Sequence, residues 1–145
     1  MEILTTSIFD SPAQTLVNPV NTVGVMGKGL ALQFKQQYPE MYLRYRQYCL
    51  AGQLNVGQLY LWKSSDYRFV LNFPTKEHWR NPSRIEYIED GMKKLVDTYI
   101  EKEISSIAFP RIGCGLGGLD WEEVEPIFLH YTDQMNIPVF LHIFR

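Results

Sequence analysis

The chain has 145 residues, of which 46% are hydrophobic, and a formal net charge of −2. This size fits one domain with a buried core, and the charge excludes the broad basic surface that drives non-specific nucleic-acid binding. Two cysteines, far apart and without ligand residues at metal-site spacing, indicate neither a disulfide framework nor a zinc site. The N-terminus has no signal-peptide pattern and no apolar stretch approaches the roughly 18 residues of a membrane span, so we expect a cytoplasmic protein with no membrane partner.

Apolar runs bounded by turn residues predict six strands. They cover residues 2–6, 15–19, 59–63, 69–74, 106–110 and 139–144. Between them, apolar spacings of three and four residues predict helices over 30–38 and 40–50, with a break at Pro39 and a left-handed cap at Gly52. Alternating strands and helices with short connections predict one three-layer α/β/α domain over residues 1–145, built on a central mixed β-sheet.

Two capping motifs predict where the later helices begin. Ser83-Arg-Ile-Glu86 matches a capping box, and the apolar stripe that follows it runs from Ile85 to Tyr99. Asp120-Trp-Glu-Glu123 matches the same box in its Asp form and predicts the final helix, which ends near Asn136.

Two glycine-rich turns each follow an apolar run and lead into a helical pattern. Their sequences are NTVGVMGKGL over residues 21–30 and PRIGCGLGGL over residues 110–119. Such a turn presents unpaired backbone N–H groups and the positive end of a helix dipole, which suits an anion, and two such turns suit a diphosphate. We expect the two turns to meet over one cleft at the carboxyl ends of the strands. The alternative is that each turn is only a tight connection.

Two common nucleotide sites are disfavoured. The late turn matches G-x-G-x-x-G over residues 113–118, but the next strand lacks the acid that a dinucleotide-binding fold requires. The early turn has Gly29 where a phosphate-loop hydrolase needs Ser or Thr to hold magnesium.

Together with Phe73-Pro-Thr-Lys-Glu-His-Trp-Arg80, the glycine turns resemble the macrodomain family, an ADP-ribose-binding α/β/α fold. Within it they are similar to the DarG-type DNA ADP-ribosyl glycohydrolases, the antitoxins of DarT-type toxins. The resemblance implies a hydrolase that removes ADP-ribose from ADP-ribosylated thymidine in single-stranded DNA, a form of DNA repair. It implies ADP-ribose as ligand and product, no metal or redox cofactor, and a DarT-type toxin partner bound through a region outside these 145 residues. We expect a monomer.

The resemblance also implies which residues form the site. Lys76 is implied to be catalytic, and Asn21 to contact the distal ribose. The implied ligand-binding residues come from three segments of the chain and are Ser7, Ile8, Asn21, Thr22, Gly24, Met26, Gly27, Lys28, Gly29, Pro110, Gly113, Cys114, Gly115, Leu116 and Gly117. Thr6-Ser7-Ile8 stands where many macrodomains have an Asp that holds the adenine amino group, so the partner of the base is neutral here.

Lys76 has two possible roles. Its amine attacks the anomeric carbon to give a covalent intermediate, or its ammonium protonates or stabilises the departing base. The first role needs a pKa lowered by burial or by a cation such as Arg80, whereas nearby phosphates favour the charged form. We favour the charged, proton-donating role.

A further group of residues predicts a small nucleic-acid edge. His78, Trp79 and Arg80 place an imidazole, a stacking face and a guanidinium in one loop, and Arg84 follows. The alternative is that Trp79 is a lid on the core. For His130 and His142 we expect core or surface roles.

Three alternatives to a DNA-directed hydrolase follow from the sequence. A related glycohydrolase of ADP-ribosylated glutamate pairs its lysine with an Asp in the late loop, where this chain has Gly117, and Asp120 is the predicted helix cap. The others are a non-catalytic module that reads ADP-ribose and a regulatory domain for another nucleotide.

Overall fold

The computed structural model of the protein describes residues 1–143, so the end of the predicted last strand, residues 144–145, lies outside the described residues. The six strands are β1 Glu2–Leu4, β2 Thr15–Asn21, β3 Tyr60–Lys63, β4 Phe69–Lys76, β5 Ile107–Phe109 and β6 Val139–His142. The four α-helices of the described residues are α1 Gly29–Gln37, α2 Pro39–Leu50, α3 Ile85–Thr98 and α4 Trp121–Thr132.

The strands form one sheet in the order β1-β6-β5-β2-β4-β3. Neighbouring strands are parallel except for β3, which pairs antiparallel with β4 at the edge. The prediction of a central mixed sheet is therefore confirmed. Within residues 1–143, no helix is both long and apolar enough to cross a membrane.

Buried side chains alternate between the two faces of the sheet and form two cores. On β2, Leu16 packs towards α1 and α2, whereas the next residue, Val17, packs towards α3 and α4. Val70 and Leu71 of β4 alternate in the same way. Because both faces of the central strands are covered, these strands are continuous apolar runs. For this reason the hydrophobic pattern of the sequence predicted them as strands. The three-layer α/β/α architecture follows.

Several element ends differ from the prediction. The strand β1 ends at Leu4, whereas β2 and β4 extend to Asn21 and Lys76. The extension matters because the pairing of β2 with β4 shifts register after Val20 and sets Asn21 opposite Lys76. Two residues with expected roles in the site thus lie on adjacent strands.

The predicted capping box at Ser83 is wrong. The helix α3 begins at Ile85 with Arg84 as its N-cap and no side-chain cap bond. The backbone N–H of Ser83 instead donates to the carbonyl of Gly117 at 2.8 Å, so a tertiary contact replaces the local one. Asp120 is the N-cap of α4 as predicted, but its carboxylate makes no cap bond either. The left-handed cap at Gly52, with φ of 69°, is confirmed.

Candidate functional site

Three loops leave the carboxyl ends of the adjacent central strands β2, β4 and β5. We call residues 22–28 the early loop, residues 77–84 the middle loop and residues 110–120 the late loop. The backbone N–H and the hydroxyl of Thr22 donate to the carbonyl of Glu77 at 3.3 and 2.9 Å, which joins the early and middle loops. The bond from Ser83 to Gly117 joins the middle and late loops. The expectation that both glycine turns meet at one edge of the sheet is therefore met.

Asn21 shapes the early loop from inside. Its Oδ1 accepts from the backbone N–H groups of Val23 and Val25 at 3.1 and 3.3 Å, and its Nδ2 donates to the Val25 carbonyl at 2.8 Å. The hydroxyl of Tyr45 on α2 lies 2.8 Å from Oδ1 and 2.7 Å from the Asn21 carbonyl. Burial raises the pKa of Tyr45, so the hydroxyl keeps its proton as a donor. The expected contact of Asn21 with the distal ribose stays a prediction, for which one Nδ2 hydrogen is free.

The early loop ends in a run of unpaired amides. Among the hydrogen bonds of residues 1–143, none uses the backbone N–H groups of residues 26–29. These amides lead into α1, whose N-cap, Lys28, makes no side-chain cap bond and whose first turn has no acidic residue. The side chain of Met26 is buried in the core, so this residue offers the site only its backbone. An uncapped helix start with four free N–H groups is suited to an anion.

The late loop carries a second set of free amides. The N–H groups of Gly113, Gly115 and Leu116 have no partner within the described part of the chain. Gly115 has a φ of 64° and no atom within 4 Å of the place where a Cβ would stand, so its outer side is open. Burial raises the pKa of the Cys114 thiol, which disfavours the thiolate form and suits a packing role better than that of a nucleophile.

Two glycines of the late loop leave no room for a side chain. A Cβ on Gly113 would lie 2.9 Å from Leu119, and one on Gly117 would lie 2.7 Å from the hydroxyl of Ser83. Close packing within the protein therefore requires glycine at both positions, and the contact of their backbone with a ligand stays a prediction. Gly29, with φ of 58°, instead lies beside Leu116, which brings the two loops into contact.

The amine of Lys76 lies between the middle and late loops. Its Nζ donates to the carbonyl of Leu116 at 2.7 Å and to that of Trp79 at 3.4 Å. Partial burial lowers the pKa of Lys76, and Arg80 has no part in that shift. With two of its hydrogens directed at carbonyl groups, the ammonium retains a third for a ligand, and the neutral amine retains its lone pair.

The middle loop displays an exposed stack. Trp79 is 44% exposed, which rules out the alternative that it is a lid on the core. His78 lies at 4.9 Å between ring centroids on one side of Trp79, and the Arg80 guanidinium lies 4.5 Å from the Trp79 ring centroid. Arg84 is exposed at the start of α3, outside the stack. The predicted nucleic-acid role of these residues stays a prediction.

A cavity of about 280 Å³ opens beside the start of α1. Ser7, Ile8 and Pro110, which are predicted ligand-binding residues, lie in its wall. Several residues that the sequence did not predict also line the cavity, namely Leu30, Gln33, Arg111, His142 and Ile143. These residues come from separate segments and share no local motif. The cavity is too small for a whole dinucleotide-sized ligand but fits one part of it.

Comparison with known proteins decides the family. A family model described as Macro domain matches residues 17–128. The chain belongs to the macrodomain family. Both glycine loops and the middle loop of this macrodomain lie inside the matched region.

This macrodomain is similar to several characterised proteins. It is 48% identical over 122 residues to a DNA ADP-ribosyl glycohydrolase of Thermus aquaticus, covering 82% of this chain and 34% of that protein. The macrodomain of Mycobacterium tuberculosis DarG superposes with a TM-score of 0.91 at 39% identity, covering 97% of this chain and 96% of that one. Thermosipho africanus DarTG in complex with ADP-ribose gives a TM-score of 0.93 at 40% identity over 99% of this chain and 41% of that one. The chain thus spans about a third of the length of the curated relatives it matches.

Proposed function

We propose that this macrodomain is a DNA ADP-ribosyl glycohydrolase that releases ADP-ribose from ADP-ribosylated thymidine in single-stranded DNA and so reverses a DarT-type modification. The observation that carries the proposal is the position of the Lys76 amine, 2.7 Å from the Leu116 carbonyl of the late loop, which is one of the two loops with unpaired backbone amides. The names of the similar proteins support DNA-linked ADP-ribose as the substrate class, and one of the similar structures holds ADP-ribose.

The diphosphate of ADP-ribose is the natural occupant of the two amide sets. Free N–H groups of residues 26–29 and of the late loop can donate to phosphate oxygens without breaking bonds inside the protein. Hydrogen bonds to charged groups contribute about 1.5–3 kcal/mol each, so three or four of them account for micromolar binding. The distal ribose then lies near Lys76 and Asn21, which face each other across β2 and β4.

The proposed reaction is hydrolysis of the bond between the anomeric carbon and the thymine base. Water adds to the anomeric carbon and releases one proton, the carbon–nitrogen bond breaks, its electron pair passes to the base, and the base takes up a proton. Burial lowers the pKa of Lys76, which makes its ammonium a stronger acid than an exposed lysine. Lys76 therefore supplies the proton in this proposal. The proton that the water loses replaces the one that Lys76 gives to the base, so one water balances the step and the proposal includes no metal or redox cofactor.

The middle loop is proposed to contact the DNA around the modified nucleotide. The exposed stack of His78, Trp79 and Arg80 offers a π-face and a cation, and the Trp79 carbonyl lies 3.4 Å from the Lys76 amine. Bases stack on such aromatic faces irrespective of sequence. We further propose that the protein acts as a monomer in the cytoplasm and that a DarT-type toxin is its partner through a region outside these residues.

The glutamate-directed alternative is disfavoured by packing. An Asp at position 117, where that related activity has its acid, would place its Cβ 2.7 Å from the Ser83 hydroxyl. Ser83 is itself buried and bonded through its N–H to this residue, so the loop has no room for the acid without rearrangement.

The test compares two substrates and two lysine variants. We expect the protein to release ADP-ribose from a single-stranded oligonucleotide with ADP-ribosylated thymidine faster than from an ADP-ribosylated glutamate peptide. Lys76→Ala abolishes release but leaves ADP-ribose binding within about tenfold. Lys102→Ala is the matched control, because Lys102 is also half-buried with a lowered pKa but lies after α3, away from the three loops.

Three outcomes would contradict the proposal. Faster release from the peptide selects the glutamate-directed activity. Binding of ADP-ribose without release by the wild type selects the reader module. A stable adduct on Lys76 after borohydride reduction, found by intact mass measurement, replaces the proton-donating role of the lysine by the covalent one.

A further inference from the structure

The charged side chains of the helices are unevenly distributed across the sheet. Helices α1 and α2, on one face, carry three cationic side chains and one acidic one, whereas α3 and α4, on the other face, carry two cationic and seven acidic ones. The net charge of −2 therefore conceals a basic face and an acidic face. A polyanion is attracted to the first and repelled by the second.

Two residues of α2 lie directly against the early loop. The hydroxyl of Tyr42 donates to the carbonyl of Gly24 at 3.2 Å, and Cγ of Arg46 lies 3.4 Å from the place where a Cβ of Gly24 would stand. The Nζ of Lys35, on α1, lies 4.4 Å from the centroid of the Tyr42 ring. The side of α2 that contacts the early loop therefore presents an aromatic ring and two cations.

The opposite side of α2 has a similar composition. Arg44 and Tyr48 are four residues apart and are therefore neighbours on the helix surface. Tyr48 is 40% exposed, and its ring centroid lies 4.7 Å from that of Tyr60 on the edge strand β3. Arg44 and Arg46 each lie one residue from the buried Tyr45, in opposite directions around the helix, so they border its outward surface on both sides.

These cations are not neutralised within the described part of the chain. Among residues 1–143, neither Lys35 nor Arg44 nor Arg46 has a carboxylate within ion-pair distance. A guanidinium with its donors available binds phosphate oxygens, and an aromatic ring offers a face to a base. Cations beside exposed aromatic rings are the composition of a surface that binds single-stranded nucleic acid, whereas an acidic protein partner would need the cations alone.

We propose that the single-stranded DNA beside the modified thymidine crosses α2, with phosphates on Arg44 and Arg46 and a base on Tyr48. This inference rests on the proposed function and deepens it, because it takes modified DNA as the substrate and gives the path of its backbone. The modified thymidine must reach Lys76 at the end of β4. The early loop, bonded to the middle loop through Thr22, connects that point with Arg46. A strand that left the site towards α3 would instead meet the acidic face.

Release of ADP-ribose from two substrates of different length tests this path. One substrate is ADP-ribosylated thymidine alone, and the other is a single strand of about 20 nucleotides with the modified thymidine at its centre. We expect Arg44→Gln combined with Arg46→Gln to lower kcat/KM on the long substrate about tenfold at low salt. Release from the nucleoside and binding of ADP-ribose stay unchanged, because glutamine keeps the Cγ atom that packs against Gly24.

The salt dependence counts the phosphate contacts. Each phosphate bound on a single strand contributes about 0.7 to the slope of log kcat/KM against log salt concentration, so we expect the slope of the double variant to be shallower by about 1.4. Lys93→Gln combined with Lys94→Gln is the matched control, because it removes the same two charges from exposed positions of α3. The control keeps the wild-type kcat/KM on the long substrate and the wild-type slope.

A second readout leaves the charges of α2 intact. The long substrate, with iodouracil in place of a base beside the modified thymidine, is bound to Lys76→Ala and crosslinked by light, and the crosslinked peptide is identified by mass spectrometry. We expect the crosslink on Tyr48 of α2 for at least one flanking position. Crosslinks to α3 or α4, with none to α2, contradict the path.

Each result bears on the inference. Equal losses in the arginine and lysine variants show that only the net charge matters, and a parallel loss of ADP-ribose binding in the arginine variant shows a displaced early loop. Wild-type values for the arginine variant on both DNA substrates assign the basic surface to another partner. Any of these results overturns the path across α2 while leaving the glycohydrolase activity standing. If the wild type releases ADP-ribose from neither substrate, the proposed function itself is contradicted, and the path is contradicted with it.

Discussion

Tyr45→Phe is the most informative single change outside the loops themselves. Tyr45 is fully buried on α2, and its hydroxyl is the group that joins this helix to Asn21, at 2.8 Å from Oδ1 and 2.7 Å from the backbone carbonyl. Phenylalanine fills the same space, so the core packing is kept and only the hydroxyl is lost. The change therefore tests only the hydrogen bonding of the Tyr45 hydroxyl to Asn21, which holds the early loop against α2.

The expected cost can be estimated from these contacts. Two buried acceptors lose the single hydroxyl proton that they share, which lowers the free energy of unfolding by about 1–3 kcal/mol. Asn21 Oδ1 still accepts from Val23 and Val25, so the loop stays folded but populates other arrangements. A shift of about 1.4 kcal/mol away from the competent arrangement weakens ADP-ribose binding about tenfold.

Urea unfolding and calorimetry with ADP-ribose measure the two quantities separately. The matched control is Tyr99→Phe, because Tyr99 is also a buried residue whose hydroxyl accepts the N–H of Asn136 at 3.1 Å, away from the three loops. We expect comparable losses of stability in both variants, and weaker ADP-ribose binding in Tyr45→Phe alone. Wild-type affinity in Tyr45→Phe, or equal weakening in both variants, would refute the anchoring role.

Three further predictions concern the chemistry, the DNA edge and the late loop. If the ammonium of Lys76 is the acid, single-turnover rates fall as the pH rises, with a midpoint below 10.5 because burial lowers its pKa, whereas a rate that rises with pH contradicts this role. Trp79→Ala slows release from modified DNA about tenfold through lost stacking but leaves free ADP-ribose binding intact, and Tyr67→Ala, also exposed, has no effect in either assay. Gly117→Asp lowers the free energy of unfolding by about 1–3 kcal/mol because it clashes with Ser83, and Ser83→Gly in the same chain restores most of it; no recovery argues against the clash.

Much of the fold was predictable from the sequence because the sheet is buried on both faces. Strands such as β2 and β4 are then apolar runs, and the glycine turns that follow β2 and β5 lie at the same edge as a consequence of parallel pairing. The convergence of the early and late loops followed from this topology and needed no knowledge of side-chain contacts.

The remaining features depend on contacts between distant segments. The capping box at Ser83 failed because its N–H bonds to Gly117, 34 residues further along the chain, which a local pattern does not reveal. The cavity wall was missed for a similar reason, since His142 gains its partner from Thr6, at the other end of the chain. The hydrogen bonds by which Asn21 holds the early loop depend on Tyr45. From the sequence alone, Tyr45 is indistinguishable from any other core residue of a helix.

The convergence of two amide sets on one diphosphate is tested most directly by titrating ¹⁵N-labelled protein with ADP-ribose. We expect the backbone amide resonances of residues 26–29 and 113–116 to shift together, with a single dissociation constant, while those of the edge strand Tyr60–Lys63 stay in place. Shifts confined to one loop, or two loops that titrate with different constants, would contradict the account.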